Sequence, residues 1–192
     1  MKLKVSNRPE GRKGEQNLGA VNRLRREGMI PAVLYRAGEE ARSIVVSAVD
    51  FQTVLRQIPQ GTLATTLFEL DYEGQMHSAL IKEVQYHPTT YPTAVTHIDL
   101  MTVKLDEAVR VRVPLRCTGV AQCAGVRLGG MLRMVMRAIL VRCPANAIPE
   151  ELVVDVRELG IRQGRRLRDI SFPQGVTPLL DLDEVAVVVA KR

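Results

Sequence analysis

The sequence predicts a mainly β protein in two domains, residues 1–103 and 104–192, and three observations carry that expectation. Runs rich in Val, Ile, Leu and Thr recur along the chain between breaks containing Gly and Pro. Two segments, one from Asn17 and one from Asp50, space their apolar residues as helices do. After about residue 103 the texture shifts to the tight alternation VRVRVPLRC. No repeat, low-complexity tract or doubly wound strand–helix alternation appears, so nothing points to a nucleotide-binding parallel sheet.

Leu3 to Ser6 reads as a short strand, followed by the polar stretch Asn7 to Gln16, in which Pro9, Gly11 and Gly14 among charges make a flexible arm. A helix is expected from Asn17. It has Leu18, Val21 and Leu24 on one side, Arg25 and Arg26 in its last turn, where the dipole favours cations, and Gly28 as its stop. Ile30 to Tyr35 and Arg42 to Ser47 are strands, and Ser47 with Asp50 forms a capping box for a helix bearing Phe51, Val54, Leu55 and Ile58. Leu63 to Tyr72 and Met76 to Gln85 should pair as a hairpin across Glu73-Gly74-Gln75, with a third strand, Ala94 to Val103, after a turn from Pro88 to Pro92.

In the second half, Val109, Val111, Val113 and Leu115 fall on one strand face and Arg110, Arg112 and Arg116 on the other. Gly119, Gly125, Gly129 and Gly130 punctuate what reads as a long loop. Met131 to Cys143 is expected as one strand with Met134, Met136, Ala138 and Leu140 along a core edge, or else as a Met-rich segment for docking a partner. Pro144, Pro149, Pro173 and Pro178 separate shorter pieces before a final buried strand, Val185 to Ala190.

A net charge of +6 with pI near 9.5 makes a polyanion the natural partner, nucleic acid ahead of an anionic membrane surface. That charge is segregated: residues 1–42 hold ten Lys+Arg against five Asp+Glu, residues 43–100 two against six. Arg outnumbers Lys 21 to 6, which suits bidentate phosphate contacts, although genomic base composition gives the same skew. Residues 110–142 hold seven Arg and no acid, and Arg162, Arg165, Arg166 and Arg168 follow; a solvated face and a second RNA surface both fit. Met1-Lys2-Leu3-Lys4 has no apolar segment behind it and no apolar run approaches the length of a bilayer span, so a cytoplasmic location without membrane contact is expected. Cys117, Cys123 and Cys143 are an odd set without a C-x-x-C pair and read as reduced, mostly buried thiols.

Bond-breaking chemistry finds little material. G-x-x-x-x-G-K-[ST], G-x-S-x-G and H-E-x-x-H are absent, and His77, His87, His97, Asp99 and Cys117 match no closed metal-site spacing. The informative set is Asn22 to Tyr35 (NRLRREGMIPAVLY), Gln85-Tyr86-His87-Pro88 and His97-Ile98-Asp99-Leu100. A-form RNA displays 2′-hydroxyls and base edges in a shallow minor groove, where Gln, His, Asp and Tyr on a flat strand surface can hydrogen-bond while flanking Arg side chains hold phosphates.

These segments, as R-L-R-R-E-G-x-I-P-A-V-L-Y, Q-x-H-P-T and H-I-D-L in that order, resemble the bacterial large-subunit ribosomal protein number twenty-five family, in its longer general stress protein (CTC) form. The likeness continues through Val113-Pro114, Gly129-Gly130-Met131-Leu132, Cys143-Pro144, Val154-Asp155-Val156 and Pro173-Gln174-Gly175-Val176. The resemblance implies an N-terminal β-barrel with two short helices that binds 5S rRNA, followed by an all-β C-terminal domain. It also implies a single copy within the large ribosomal subunit, without catalysis, cofactor or metal. Carried over by position, it implies RNA contacts from Arg23, Arg25, Arg26, Tyr35, Arg36, Gln85, His87, His97 and Asp99. The chain departs from the family pattern at Leu18 and Asn22, where basic residues are usual, at Arg36, where a glycine is, and at Tyr86, where an arginine is. A stress-linked, conditionally ribosome-associated protein that docks partners through Met131 to Arg142 is the competing reading.

Overall fold

The computed structural model describes residues 1–8, 18–36, 38, 40–72, 74–89 and 94–191, which fall into two compact units, Met1–Leu105 and Asp106–Arg192. The expected arm from Asn7 to Gln16, the helix start at Asn17 and the far side of the Pro88 to Pro92 turn lie largely outside the described residues.

In the first unit, strands β1 (Lys2–Asn7), β2 (Met29–Tyr35), β3 (Arg42–Ser47), β4 (Leu67–Tyr72), β5 (Gln75–Tyr86) and β6 (Val95–Thr102) close into a barrel of order β1-β3-β2-β6-β5-β4. The closing seam is a parallel pairing of β1 with β4, Lys2 to Glu69 through Lys4 to Asp71. Alternation sends Leu3, Ile30, Ala32, Leu34, Phe68, Leu70, Ile98 and Leu100 inward, where they form one buried core. Helix α1 (Leu18–Arg26) precedes β2 and ends at Gly28, whose φ of 76° only glycine adopts without strain. Helix α2 (Ala48–Gln57) follows β3; Ser47 Oγ accepts from the Asp50 N–H at 3.4 Å, and Phe51 is fully buried against the barrel core.

Two local features depart from the sequence expectation. The strand predicted from Leu63 starts only at Leu67, because the Thr62, Thr65 and Thr66 hydroxyls donate to the carbonyls of Pro59 and Thr62 at 2.9 Å and fold the segment into turns. In β5 the register against β6 shifts between Ile81 and Glu83. Ile81 faces inward opposite Leu100, and Val84 faces inward opposite Ile98, so Lys82 is an extra residue that reverses the parity of the strand. Glu83 and Gln85 are therefore exposed on the outer face.

The second unit packs two sheets on one core. The first has the order β10 (Leu152–Asp155), β7 (Ala108–Thr118), β9 (Ala138–Pro144), β12 (Thr177–Pro178); the second runs β11 (Gly164–Arg166), β13 (Val185–Ala190), β8 (Met131–Met134). In β7 the predicted alternation holds, with Val109, Val111, Val113 and Leu115 buried. The single strand expected from Met131 to Cys143 is two strands in different sheets. The Val135 and Met136 N–H groups both donate to the Ala186 carbonyl, and past this break the parity changes: Ile139, Val141 and Cys143 are buried in place of Ala138 and Leu140. The expected glycine-rich loop holds a short four-residue helix, α3 (Ala124–Arg127), within a mainly β unit. Gly125 in α3 is buried, and a Cβ there would sit 2.8 Å from the Gly160 carbonyl carbon and 2.8 Å from Val189 Cγ1. The spacing of glycines marked close packing as much as chain reversal. Cys123 and Cys143 are buried and Cys117 is half-buried, none of them in a disulfide, with burial raising the Cys117 pKa. No helix among the described residues is long and apolar enough to cross a membrane.

Two outcomes follow from this packing. Deleting Lys82 removes the parity reversal and turns Glu83 and Gln85 toward the apolar interior, so the urea midpoint should fall sharply, whereas Lys82→Ala, which keeps the residue count, should stay within about 1 kcal/mol of the parent. Gly125→Ala should lower stability by roughly 1–3 kcal/mol in the same measurement, because backbone stands in the way of the added methyl.

Candidate nucleic-acid interface

Outward residues of three adjacent strands make one polar strip on the barrel. β2 pairs in parallel with β6, setting Val33 against Asp99 and Tyr35 against Met101, while β5 pairs antiparallel with β6, setting Glu83 against Asp99 and Gln85 against His97. The β5 bulge described above is what brings Glu83 and Gln85 to this side. Tyr35, Glu83, Gln85, His97 and Asp99 thus share a face although up to 64 residues separate them in the chain (99 minus 35).

Within the strip, His97 Nδ1 lies 2.7 Å from Asp99 Oδ1, with the two side chains 25% and 32% exposed. That contact orients the ring: with Nδ1 donating to the carboxylate, Nε2 of a neutral imidazole is the acceptor. The Tyr35 hydroxyl has its pKa raised, by desolvation first and then by the nearby negative charges of Asp99 and Glu83, so it stays a neutral phenol that both donates and accepts.

Helix α1 flanks the strip at the end where β6 begins. Arg25 donates from Nε and Nη2 to the Thr96 carbonyl at 3.2 and 3.1 Å, and from Nη1 to Asn22 Oδ1 at 3.2 Å. Asn22, one of the positions where family charge is missing, therefore positions Arg25, and Arg25 fastens the helix to β6. The Thr96 hydroxyl in turn donates to the Gln85 carbonyl at 3.1 Å, tying both strands to the same anchor. Arg23 pairs with Glu27 at 2.9 Å while remaining 81% exposed, and Arg26 is exposed beside it.

The remaining expected residues lie off the strip. His87 is one residue past β5; its N–H donates to the Ala94 carbonyl at 2.8 Å and its Nδ1 is 2.9 Å from Thr89 Oγ1, so it belongs to the turn. Arg36 follows the end of β2, at the opposite end of the strip from α1. Tyr86, in place of the family arginine, is half-buried at the end of β5. Glu83 and Thr96 stand outside the expected set, and Asn22, expected as a place where charge is missing, takes a positioning role instead. Glu83 shares its orientation with Gln85, two residues on, and that period-two relation was the available signal.

Three or more His, Cys, Asp or Glu side chains do not gather into a metal-holding group among the described residues, and Cys117 lies on β7 in the second unit. In that unit the arginine run of residues 162–168 is largely paired: Arg165 with Glu158 at 3.5 Å, and Arg166 and Arg168 with Asp183 at 3.2 and 2.9 Å.

Comparison with known proteins covers both units. Residues 3–100 match the Ribosomal L25p family, and residues 108–192 match the family described as Ribosomal protein TL5, C-terminal domain. Among curated relatives, the large ribosomal subunit protein bL25 of Chlamydia abortus is 41% identical over 192 residues, the whole of both chains. Those of Chlamydia trachomatis serovar L2 and Chlamydia pneumoniae are 42% and 40% identical, again over the whole of both chains. The chain belongs to the ribosomal L25p family, in the form that joins the L25p barrel to a TL5-type C-terminal domain.

Proposed function

We propose that the protein is a structural component of the large ribosomal subunit in the cytoplasm, and that its N-terminal barrel binds 5S rRNA without catalysing a reaction. The observation that carries this reading is the single outward strip of Tyr35, Glu83, Gln85, His97 and Asp99 with the arginines of α1 at its edge. Such a strip offers neutral and anionic hydrogen-bonding groups on the outer face of a sheet, which suits the shallow minor groove of A-form RNA, where amino groups and 2′-hydroxyls are displayed. The carboxylates of Asp99 and Glu83 accept from those donors, His97 Nε2 accepts as well, and Gln85 does both. Arg23 and Arg26 on α1 meet the bordering phosphates, while Arg25 holds the helix at the angle that lets them do so.

The assignment separates two kinds of contact, and titration of the full chain with 5S rRNA and with an unrelated duplex tells them apart. Affinity should be greater for 5S rRNA; equal affinity at physiological salt would sink the reading. Arg23→Ala should reduce the slope of log K against log salt by about one, as loss of one phosphate contact does. Asp99→Asn should instead weaken 5S rRNA binding by roughly 1–3 kcal/mol with the salt slope unchanged, because it removes an acceptor for groove donors.

The state of Tyr35 is open to a direct measurement. Burial and two carboxylates oppose its ionisation, so its ultraviolet phenolate signal, identified by difference against Tyr35→Phe, should appear at higher pH than that of an ordinary tyrosine. Because the folded-state pKa is raised, the associated stability is complete below the unfolded value and is lost as pH climbs through the folded one. In Asp99→Asn the signal should move part of the way back, since desolvation remains.

A further inference from the structure

The strip has a second end, and it is built differently from the end held by α1. β2, β4 and β6 finish where β3 and β5 begin, and their terminal residues line a cavity of about 330 Å³ at the mouth of the barrel. Among the described residues its charged lining is Arg36, Arg42 and Lys104 with the carboxylate of Glu40, and His77 stands in the same wall. Counted over the described residues, three permanent cations against one anion give the cavity a positive field, which low-dielectric walls concentrate.

The cavity has a structured wall. The Arg42 guanidinium carbon lies over the Tyr72 ring, 5.9 Å from its centroid, and the Tyr72 ring is tilted against His77 with centroids 6.4 Å apart. The Tyr72 hydroxyl donates to Asn7 Oδ1, which ties the aromatic pair to β1. Arg42 is thereby held at the wall by a contact to a ring face, which engages none of its N–H donors. A planar guanidinium of this kind beside a compact ammonium suits a tetrahedral oxyanion.

The cavity also continues the strip. Tyr35 lines it, and Thr102, another lining residue, donates from Oγ1 to the Tyr35 carbonyl at 3.4 Å. Thr96, where Arg25 fastens α1, and Thr102 lie six residues apart on β6, or about 20 Å at the usual rise per strand residue. Cations therefore stand at both ends of a surface whose middle carries Glu83 and Asp99, an arrangement that repels phosphates from the middle and draws them to the ends.

We propose that this cavity seats a backbone phosphate of the bound RNA, from the strand opposite the one that meets α1, so that the two ends of the face hold the two backbones bordering one minor groove. The proposal rests on the reading of the strip as an RNA surface, and adds Arg42 and Lys104 to it while giving Arg36 a defined place. Arg36, where the family pattern has glycine, supplies one of the three cations.

The test uses the full chain, 5S rRNA and salt-dependent binding, with Arg36→Ala, Lys104→Ala and the double variant. Lys104 is exposed, so its replacement leaves folding intact, and thermal midpoints check the other two. Each single change should lower the salt slope by about one and the double change by about two. In parallel, inorganic phosphate and pyrophosphate are titrated into the free protein while arginine side-chain NMR signals are followed. Unchanged slopes in both single variants, with Asp99→Asn still weakening binding, would overturn the cavity proposal and leave the strip standing. Pyrophosphate binding with unchanged RNA slopes would make the cavity a small-anion site and overturn the proposal as well. A parent protein that does not prefer 5S rRNA over an unrelated duplex would remove the strip reading and the cavity with it.

Discussion

Six strands close into a barrel because β1 reaches the free edge of β4 and pairs with it in parallel, and this closure decides what every other residue of the first unit can do. A closed barrel has one interior, so each strand must devote alternate residues to it; the others have no second sheet to pack on. The outer residues of β2, β5 and β6 are thus at liberty to be polar, and Glu83, Gln85, His97 and Asp99 use that liberty. Closure also brings β2 beside β6 in parallel, a pairing no hairpin provides, and that is what sets Tyr35 in line with Asp99 and His97.

Alternation alone would nevertheless have left the strip incomplete. With strict parity, Ile81 facing inward would take Glu83 and Gln85 inward with it, burying a carboxylate and an amide in a core of Leu3, Phe68, Ile98 and Leu100. The extra residue at Lys82 avoids that cost and re-aims two side chains at once. Geometry of this sort explains how an acidic pair can belong to a surface proposed to meet a polyanion. Glu83 and Asp99 lie opposite one another mid-strip, where they also raise the Tyr35 pKa, and the cations are set at the margins. Charge of both signs is then used for position, with the carboxylates confining where a phosphate can approach.

Much of this was readable from the chain, and the failures have physical causes. β3, β7 and β13 were legible because β-branched residues run up to a clear boundary or alternate cleanly with Arg. Met131 to Cys143 was not, since nothing in an unbroken apolar run announces that Val135 and Met136 both turn to the Ala186 carbonyl and hand the chain to another sheet. Gly125 was mistaken for loop punctuation because a glycine needed for close packing against Gly160 looks the same in sequence as one needed for a turn. In the proposed site, Gln85, His97 and Asp99 were identified from residue type and resemblance, but the pairing of Arg25 with Thr96 joins positions 71 residues apart and depends on tertiary contact. Arg42 and Lys104 are not legible in the chain for the same reason: only the barrel mouth brings them into one lining.

The arginines themselves divide by what already satisfies them. In the second unit Arg166 and Arg168 share Asp183, Arg165 faces Glu158, Arg116 meets Glu151, and Arg157 grips Asp155 closely enough to hold that carboxyl at a pKa of about 2. Exposed pairs of this kind contribute little to stability, but each offsets positive charge that a phosphate would otherwise meet. The run of residues 162–168 therefore presents a far weaker positive field than its sequence suggests. In the barrel unit Arg25 is spent on backbone, Arg23 on a solvent-exposed neighbour that a phosphate can outcompete, and Arg42 on an aromatic face that leaves its hydrogen-bond donors unengaged by that contact. Counting arginines along the chain places eight in residues 1–103 and thirteen in residues 104–192; counting their partners offsets Arg116, Arg157, Arg165, Arg166 and Arg168 of that excess, while the barrel face keeps its cations at its two ends.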